Sequence, residues 1–157
     1  MPEKFTPTVM VGLRILNRQQ VDDIERLLKQ LSSSAPQELS WEKVGSILSQ
    51  PNFTIVLLED PLSGEIVGMS SLMIYSTLMR TVGIVEDVVV DQRYHGYHFG
   101  ETLMKYILII AKTKKCSYLS LTSNSKREAA NALYLKLGFQ PTGKIGESNY
   151  YRLNLTS

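Results

Sequence analysis

Residues 86–104, EDVVVDQRYHGYHFGETLM, decide the fold and the kind of site to expect. The β-branched run at 88–90 is typical of a buried strand, Gly96 and Gly100 mark a loop, and an apolar helix follows from about Glu101. The first turn of a helix carries unpaired backbone N–H groups and the positive end of the helix dipole. The segment therefore predicts a pyrophosphate-binding turn between a strand and a helix.

The overall composition restricts the class of protein. The chain has 157 residues, of which 43% are hydrophobic and 20% charged, so we expect residues 1–157 to form a single globular domain. A net charge of +2 gives no reason to expect nucleic acid or an anionic membrane as a partner. The longest strongly apolar run, 107–111, is too short to cross a bilayer, and the start MPEKFTPTVM lacks the apolar core of a signal peptide. We therefore expect a cytoplasmic protein.

The single cysteine, Cys116, excludes an internal disulfide and a CxxC metal site. With only two histidines, both in one loop, we expect no metal. We also expect Cys116 to be a buried structural thiol rather than a nucleophile.

The spacing of apolar residues predicts the order β-α-α-β-β-β-α-β-α-β. The predicted strands are residues 9–16, 53–59, 65–75, 80–90, 118–122 and 150–155. The predicted helices are residues 19–31, 41–48, 101–114 and 126–137. Antiparallel pairs early in the chain and one late strand–helix–strand unit predict an α/β fold of the α+β type. Its sheet is expected to be mixed, mainly antiparallel and twisted, with helices on both faces.

An acyl-CoA is the ligand that this strand and turn suit. Its pyrophosphate needs the N–H donors of the turn into Glu101. Its pantetheine arm needs free strand-edge groups, which residues 88–90 offer if the parallel strand at 118–122 splays away. The thioester carbonyl needs a donor for its developing charge, and we expect the backbone N–H of Val90 or a close neighbour to supply it.

Two motifs resemble those of the GNAT superfamily of N-acetyltransferases. The cofactor loop of that family commonly reads Tyr-Arg-Gly-x-Gly-x-Gly, then two residues and a Leu-Leu pair. It matches Tyr94, Gly96, Gly100, Leu103 and Met104, with Phe99 at the usual apolar position. The later Leu-Tyr-x-x-x-Gly-Phe signature matches Leu133, Tyr134, Gly138 and Phe139, and residues 86–90 look like the central strand of the family. The resemblance spans nearly the whole chain and implies a GNAT-like fold and an acetyl-CoA-dependent N-acetyltransferase.

Two positions depart from the family pattern. The Gln or Arg that helps to hold the phosphates falls on His95, and the middle glycine falls on His98. A register shifted by two would restore Arg93 and Gly96, but it would place His98 on the last, most constrained glycine and leave Gly100 inside the helix. We prefer the first register, in which His95 donates to a phosphate more weakly than a charged Arg would. The alternative is that both histidines are only solvated loop residues.

The resemblance also implies a set of contacts with the cofactor. The expected cofactor-binding residues are Val88, Val89, Val90, His95, Gly96, Tyr97, His98, Phe99, Gly100, Glu101, Asn124, Asn131 and Tyr134. Asn131 is included because it lies one helical turn before Tyr134, from where it could bind the pantetheine amides. Asn131 could equally be an exposed polar residue, and Asn124 no more than a cap.

Two residues are expected to carry the chemistry. The resemblance implies that Tyr134 protonates the CoA sulfur, although Tyr134 could also be a core aromatic residue. For the base we choose Glu86, since a buried carboxyl has the raised pKa that suits a base near neutral pH. Strand alternation sends Asp87 to the opposite face, so only one of the two should point into the acceptor cleft. The sequence does not say which one, and ordinary salt-bridged carboxylates remain open.

The molecule that accepts the acetyl group is the feature of the reaction that the sequence determines least. The family walls that site with regions that here offer Trp41, Tyr75, Met79, Arg80, Tyr150 and Tyr151. We expect the primary amine of a small molecule, attacking directly in a ternary complex. A protein or peptide N-acetyltransferase, and a non-catalytic acyl-CoA-binding module suggested by His95 and His98, stay open. So does a homodimer paired through C-terminal edge strands.

Overall fold

The fold is a seven-stranded sheet with helices on both faces, seen in a computed structural model that describes residues 4–12 and 15–156. The strands are β1 Thr8–Val11, β2 Phe53–Glu59, β3 Ile66–Ser76, β4 Thr81–Val90, β5 Tyr118–Asn124, β6 Gln140–Ile145 and β7 Ser148–Asn154. The helices are α1 Arg18–Leu31, α2 Trp41–Leu48, α3 Phe99–Thr113 and α4 Glu128–Lys136. The sheet order is β1-β2-β3-β4-β5-β7-β6, and the pair β4–β5 is parallel while its other pairs are antiparallel. The predicted fold class is confirmed.

Helices cover both faces because the central strands are apolar on both. In β2, Val56 and Leu58 lie in the core beneath α3, whereas Ile55 and Leu57 lie in the core beneath α1 and α2. This alternation follows from the two-residue period of a strand. The apolar stripe of each helix then closes its own layer, so the sheet is buried between two cores.

The predicted boundaries hold best where caps and turns are clear. Helix α2 and strand β2 have the predicted bounds, and the Ser40 hydroxyl accepts a hydrogen bond from the Lys43 N–H, as an N-cap does. Helix α3 begins at Phe99 instead of residue 101, and α4 begins at Glu128 instead of residue 126. Strand β1 ends at Val11, whereas the predicted first strand runs to residue 16. Part of the predicted first strand, residues 13 and 14, lies outside the described residues.

One strand was missed. Strand β6 runs along the edge of the sheet, and all of its residues are exposed, so it has no apolar alternation to detect. It also contains Pro141 and Gly143, which are typical of edge strands and irregular pairing. Strand β7, not β6, pairs with β5, so the C-terminal part of the sheet has one strand more than the sequence predicts.

The sheet opens between β4 and β5. These parallel strands pair only at Gly83 with Leu119 and Ile84 with Ser120. A Cβ on Gly83 would stand 2.5 Å from Leu119 Cδ2, so the glycine is what lets the two strands approach there. Beyond Ile84 the strands separate, and the later part of β4 turns an unpaired edge towards the gap. This is the splay on which the predicted pantetheine site depends.

A β-bulge lies just past the point of separation. The β3–β4 register shifts between Met69, which pairs with Val89, and Ser71, which pairs with Glu86. Asp87 and Val88 therefore stand opposite a single residue of β3, and Asp87 has the left-handed φ of 54°. Such a bulge breaks the strict alternation of side chains along β4.

Candidate active site

Two cavities meet at the gap between β4 and β5. The loop cavity, about 580 Å³, lies between the end of β4, the loop at 94–101 and α4. The strand cavity, about 300 Å³, lies between the end of α1, the bulged part of β4 and β5. Val88, Arg127 and Tyr134 line both cavities, so they form the wall through which groups bound on the two sides would meet.

The loop backbone supports the preferred motif register. Gly96 has a φ of +89°, and His98 takes the left-handed conformation with φ 63° and ψ 22°. A Cβ on Gly100 would lie 3.3 Å from Leu133 Cδ2, so this position needs a small residue where α3 meets α4. At each of the three glycine positions of the family pattern, the structure therefore shows why a glycine is favoured: a positive φ or a close contact. His98 occupies one of these positions, where a glycine would be unstrained.

The start of α3 is left open for an anion. His98 is the N-cap residue and makes no side-chain capping hydrogen bond. In the first turn, Glu101 forms ion pairs with Lys136 at 2.9 Å and Lys105 at 3.6 Å, and the hydrogen bond from Lys136 lowers the pKa of Glu101. Two lysines therefore offset the only acidic side chain in that turn.

A buried ion cluster anchors the loop to the end of β4. Asp91, buried, accepts hydrogen bonds from the backbone N–H of Arg93 at 3.0 Å and from its guanidinium, and Arg26 of α1 bonds the same carboxylate. Burial alone would raise the pKa of Asp91, but the hydrogen bonds from Arg93 and Arg26 lower it to about 2. The carboxylate stays charged and holds the first turn of the loop in place.

Side chains of the protein cover the unpaired edge of β4. The His95 Nε2 atom lies 3.0 Å from the carbonyl oxygen of Val90, and Arg127 Nη2 donates to the carbonyl of Val88 at 3.2 Å. The His95 ring lines the loop cavity, but one of its nitrogens is engaged with the backbone. Its contact with a phosphate stays a prediction. The hydrogen bond from Arg127 to β4 could not be predicted from the sequence, because its partner Val88 is 39 residues away along the chain.

Tyr134 lies at the centre of the arrangement. Its ring packs against those of Phe139 and Tyr151, with centroids 5.9 and 5.8 Å away, and its side chain is buried. Burial raises the pKa of Tyr134, and the charge and hydrogen bond of Arg127 partly oppose that rise. The phenol is thus held protonated at neutral pH, as a proton donor must be.

Glu86 and Asp87 both line the strand cavity, so the expectation that only one of them faces it was wrong. The physical reason is the bulge, which breaks the alternation between these neighbours. Burial and the nearby charge of Asp87 raise the pKa of Glu86. Burial also raises the pKa of Asp87, against a hydrogen bond donated by Ser71 Oγ at 3.3 Å. The cavity therefore holds two carboxyl groups that bind protons more tightly than in water.

A residue with a buried hydroxyl also lines the strand cavity. Among the described residues, Ser123 is one of the few whose side-chain oxygen is buried and has no hydrogen-bond partner. A buried polar atom without a partner costs free energy unless a ligand or a water bonds to it. Ser123 is therefore a further candidate for contact with the acceptor.

Most predicted cofactor residues line the loop cavity; the exceptions are Tyr97, Asn124 and Asn131. The ring of Tyr97 packs against Tyr94 and Phe99 at 6.2 and 6.0 Å instead. Asn124 lines the strand cavity, and its side chain accepts a hydrogen bond from the backbone N–H of Lys126.

Asn131 is the clearest correction. Its Nδ2 donates to the carbonyls of Asn124 and Arg127 at 2.9 and 2.8 Å, and its Oδ1 accepts from the Tyr151 hydroxyl at 2.7 Å. Asn131 lines neither cavity. Its side chain is occupied with structural bonds that fix the turn before α4, so nothing is left for a pantetheine amide.

The residues expected to wall the acceptor lie away from the strand cavity. Trp41 donates to the carbonyl of Leu16 at 2.7 Å, and Tyr75, Met79 and Arg80 lie exposed near the β3–β4 turn. None of these residues lines the strand cavity, and neither do Tyr150 and Tyr151. The end of α1, at Leu31 and Ser32, closes that cavity instead.

Cys116 is buried and lines neither cavity, and burial raises the pKa of its thiol. Within residues 4–12 and 15–156, no group of three or more His, Cys, Asp or Glu side chains is arranged to hold a metal ion. Over the same residues, no helix has the length and apolar character needed to cross a membrane.

Comparison with known proteins gives the family. Residues 19–139 match the family model described as "Acetyltransferase (GNAT) family". A glucosamine 6-phosphate N-acetyltransferase of Trypanosoma brucei brucei is 33% identical over 143 residues, which cover 87% of this chain and 93% of that relative. The chain therefore belongs to the GNAT family of acetyltransferases.

Solved structures agree with this assignment. A crystal structure of a Trypanosoma brucei acetyltransferase superposes with a TM-score of 0.72 at 28% identity, covering 88% of this chain and 96% of the other. The fold is shared with glucosamine-6-phosphate N-acetyltransferase from Arabidopsis thaliana, with a TM-score of 0.70 at 23% identity and coverage of 88% and 95%. The chain is an acetyl-CoA-dependent N-acetyltransferase, as the sequence motifs predict.

Proposed function

We propose that this enzyme acetylates the primary amine of a small molecule, with acetyl-CoA in the loop cavity and the amine in the strand cavity. The observation that carries the proposal is the shared wall of Val88, Arg127 and Tyr134. Direct transfer in a ternary complex requires two binding spaces that meet at one point. The single cysteine lies outside both spaces, which argues against an acetyl-cysteine intermediate.

The loop cavity suits the elongated cofactor. Its pyrophosphate would bind the open start of α3, where Glu101 is already paired with lysines. Its pantetheine arm would lie along the unpaired edge of β4 formed by Val88, Val89 and Val90, and a backbone N–H near Val90 would face the thioester oxygen. We propose no metal in this reaction.

The strand cavity suits a small, cationic acceptor. A volume of about 300 Å³ is at the lower end for small-molecule sites. Glu86 and Asp87 would attract the ammonium form of the amine, and Ser123 offers an unpartnered hydroxyl. The name of the Trypanosoma brucei relative makes an amino-sugar phosphate the first acceptor to test.

The chemistry assigned to the side chains follows from their protonation. A carboxylate with a raised pKa takes a proton from the bound ammonium near neutral pH, which frees the nitrogen lone pair for attack, and Glu86 is our proposed base. Tyr134, kept protonated by burial, is our proposed acid for the departing thiolate. One proton is thus removed from nitrogen on one side of the wall while another is delivered to sulfur on the other.

A thiol-release assay with acetyl-CoA tests this function. The acceptors are glucosamine 6-phosphate, glucosamine, free amino acids and a short peptide with an N-terminal alanine, and glucose 6-phosphate is the matched control without an amine. We expect turnover with a small amine and intersecting lines in initial-velocity plots. Parallel lines would contradict direct attack, and turnover of the peptide alone would show the alternative, a protein N-acetyltransferase.

Two accompanying proposals concern the protein rather than the reaction. We propose that residues 1–157 act as one acetyltransferase domain located in the cytoplasm. The homodimer stays an open arrangement, and sedimentation of the protein over a range of concentrations tests it directly.

A further inference from the structure

The geometry points to Arg127 as a positioning residue that keeps Tyr134 an effective proton donor and balances the negative charge left on its oxygen. This inference rests on the proposed function, because it assigns a role within the same transfer step. It concerns a residue whose contacts the sequence does not reveal, and it makes the acid of the reaction a pair of residues rather than a lone tyrosine.

Position is the first support. Arg127 is half-buried, lines both cavities with Tyr134, and is held over β4 by its hydrogen bond to the Val88 carbonyl at 3.2 Å. A guanidinium is a permanent cation, so Arg127 gives the wall between the two cavities a positive charge. That charge lies where the acetyl group would change partners.

The backbone of Arg127 is clamped, which is the second support. The Arg127 N–H donates to the Asn124 carbonyl at 3.0 Å, and the Arg127 carbonyl accepts from Asn131 Nδ2 at 2.8 Å. Asn131 is in turn fixed by the hydroxyl of Tyr151 at 2.7 Å. The half-buried amide of Asn131 thus fixes the placement of Arg127, beside the first turn of the helix that carries Tyr134.

Electrostatics give the third support. The charge and the hydrogen bond of Arg127 act to lower the pKa of Tyr134, against the larger effect of burial, whereas Tyr151 acts to raise it. The other titratable or charged groups around the two cavities that Tyr134 lines are Glu86, Asp87, Tyr94, His95, His98, Glu101, Glu128 and Lys136. Of all these groups, Arg127 is the one whose hydrogen bond favours the ionised phenol.

The step balances with Arg127 in this role. The amine nitrogen bonds to the acetyl carbon, the carbon–sulfur bond breaks, and its electron pair goes to sulfur. Tyr134 gives its proton to that sulfur and becomes a phenolate, whose charge the guanidinium of Arg127 offsets. The nitrogen passes its surplus proton through the carboxyl groups to solvent, and the phenolate regains a proton from solvent.

Kinetics of matched variants provide the first test. In Arg127→Gln we expect kcat to fall by about tenfold, with the alkaline limb of the kcat profile moved to higher pH, because the phenol becomes a weaker acid. Arg127→Lys should recover part of the loss. Lys126→Gln removes a neighbouring exposed cation that lines neither cavity. It should leave both kcat and the pH of the alkaline limb unchanged.

A double variant separates this role from a merely structural one. If Arg127 acts through Tyr134, Arg127→Gln has little further effect on kcat in a Tyr134→Phe background. An equal loss in both backgrounds, or an unmoved alkaline limb, would overturn the inference.

A titration that needs no turnover keeps the two proposals separable. With ring-labelled tyrosine, NMR follows the ionisation of Tyr134, which is assigned by its absence in Tyr134→Phe. We expect ionisation at higher pH in Arg127→Gln than in wild type or Lys126→Gln. Unchanged ionisation refutes the role of Arg127, whereas an inactive wild type with the expected shift refutes only the proposed acceptor class.

Discussion

The guanidinium of Arg93 donates to the carboxylate of Asp91 from Nε at 3.1 Å and from Nη2 at 2.9 Å. The two residues are separated by one position, so the pair closes a tight turn directly after β4. Because Arg26 of α1 joins the same carboxylate, this turn is tied to the opposite layer of the fold. The geometry of the loop at 94–101 therefore depends on one buried charge.

Asp91→Asn should destabilise the protein at pH 7 by about 2 kcal/mol, since the native pKa of about 2 lies below the ordinary aspartate pKa of 3.8. A depressed native pKa contributes stability that is complete above the unfolded pKa. That contribution is lost as the pH falls through the native value, so variant and wild type should converge towards pH 2. Urea denaturation over this range measures the effect, and the exposed Asp22→Asn is the control. A constant difference at all pH values would contradict it.

Asn131→Asp places a carboxylate oxygen opposite the carbonyls of Asn124 and Arg127, which now accept from the amide nitrogen. We expect a loss of about 1–3 kcal/mol in the free energy of unfolding, with the KM for acetyl-CoA within about threefold of wild type. Asn149→Asp, at a weaker contact of 3.4 Å, is the matched control. A large rise in KM without loss of stability would restore Asn131 as a cofactor ligand.

His98→Gly should tighten the binding of CoA. The left-handed backbone costs a residue with a side chain roughly 1–2 kcal/mol, while glycine adds about 0.5–1 kcal/mol of unfolded-state entropy, so net stability should change little. Removal of the side chain also gives the pyrophosphate more room beside the start of α3. Calorimetric titration with CoA measures this. His98→Ala keeps the Cβ and should be less stable than His98→Gly; the reverse order would refute the strain at this position.

Asp87→Asn should raise stability at alkaline pH. A carboxyl whose native pKa is raised binds protons more tightly when folded, so stability falls as pH rises from the unfolded to the native pKa. An amide removes this cost, and asparagine tolerates the left-handed φ of 54°. Melting temperatures at pH 4 and pH 8 test the point: the gain should appear only at pH 8. A lower melting temperature at pH 8 would mean that the carboxylate stabilises the bulge. Activity should fall in the same variant.

Local signals in the sequence were enough for much of the fold. The Ser40 cap predicts where α2 begins, and an apolar run predicts β2. The cofactor-loop motif and the Leu-Tyr-x-x-x-Gly-Phe signature locate the loop at 94–101 and Tyr134. Strand β6 was missed because an exposed edge strand has no apolar pattern.

The errors at the site have a different cause. The bulge at Asp87 adds one residue to a ladder, and alternation alone cannot show where such an insertion occurs. Asn131 was misassigned because its partner, Tyr151, is 20 residues away along the chain. Helical spacing from Tyr134 predicts which face of the helix carries Asn131, but it does not predict which side chains lie beside that face. Contacts between distant segments decide these roles.

The gap in the sheet has a consequence for affinity. In the free enzyme, His95 and Arg127 already satisfy two edge carbonyls of β4, those of Val90 and Val88. A pantetheine amide at Val90 would exchange the His95 bond for its own rather than add a new one, while Arg127 keeps the Val88 carbonyl. His95 therefore competes with the cofactor, and the apparent dissociation constant of CoA would report the difference between these two occupants of the edge. A variant whose side chains did not cover this edge of β4 would bind CoA more tightly. In its free form, the edge carbonyls would be hydrogen-bonded to water instead.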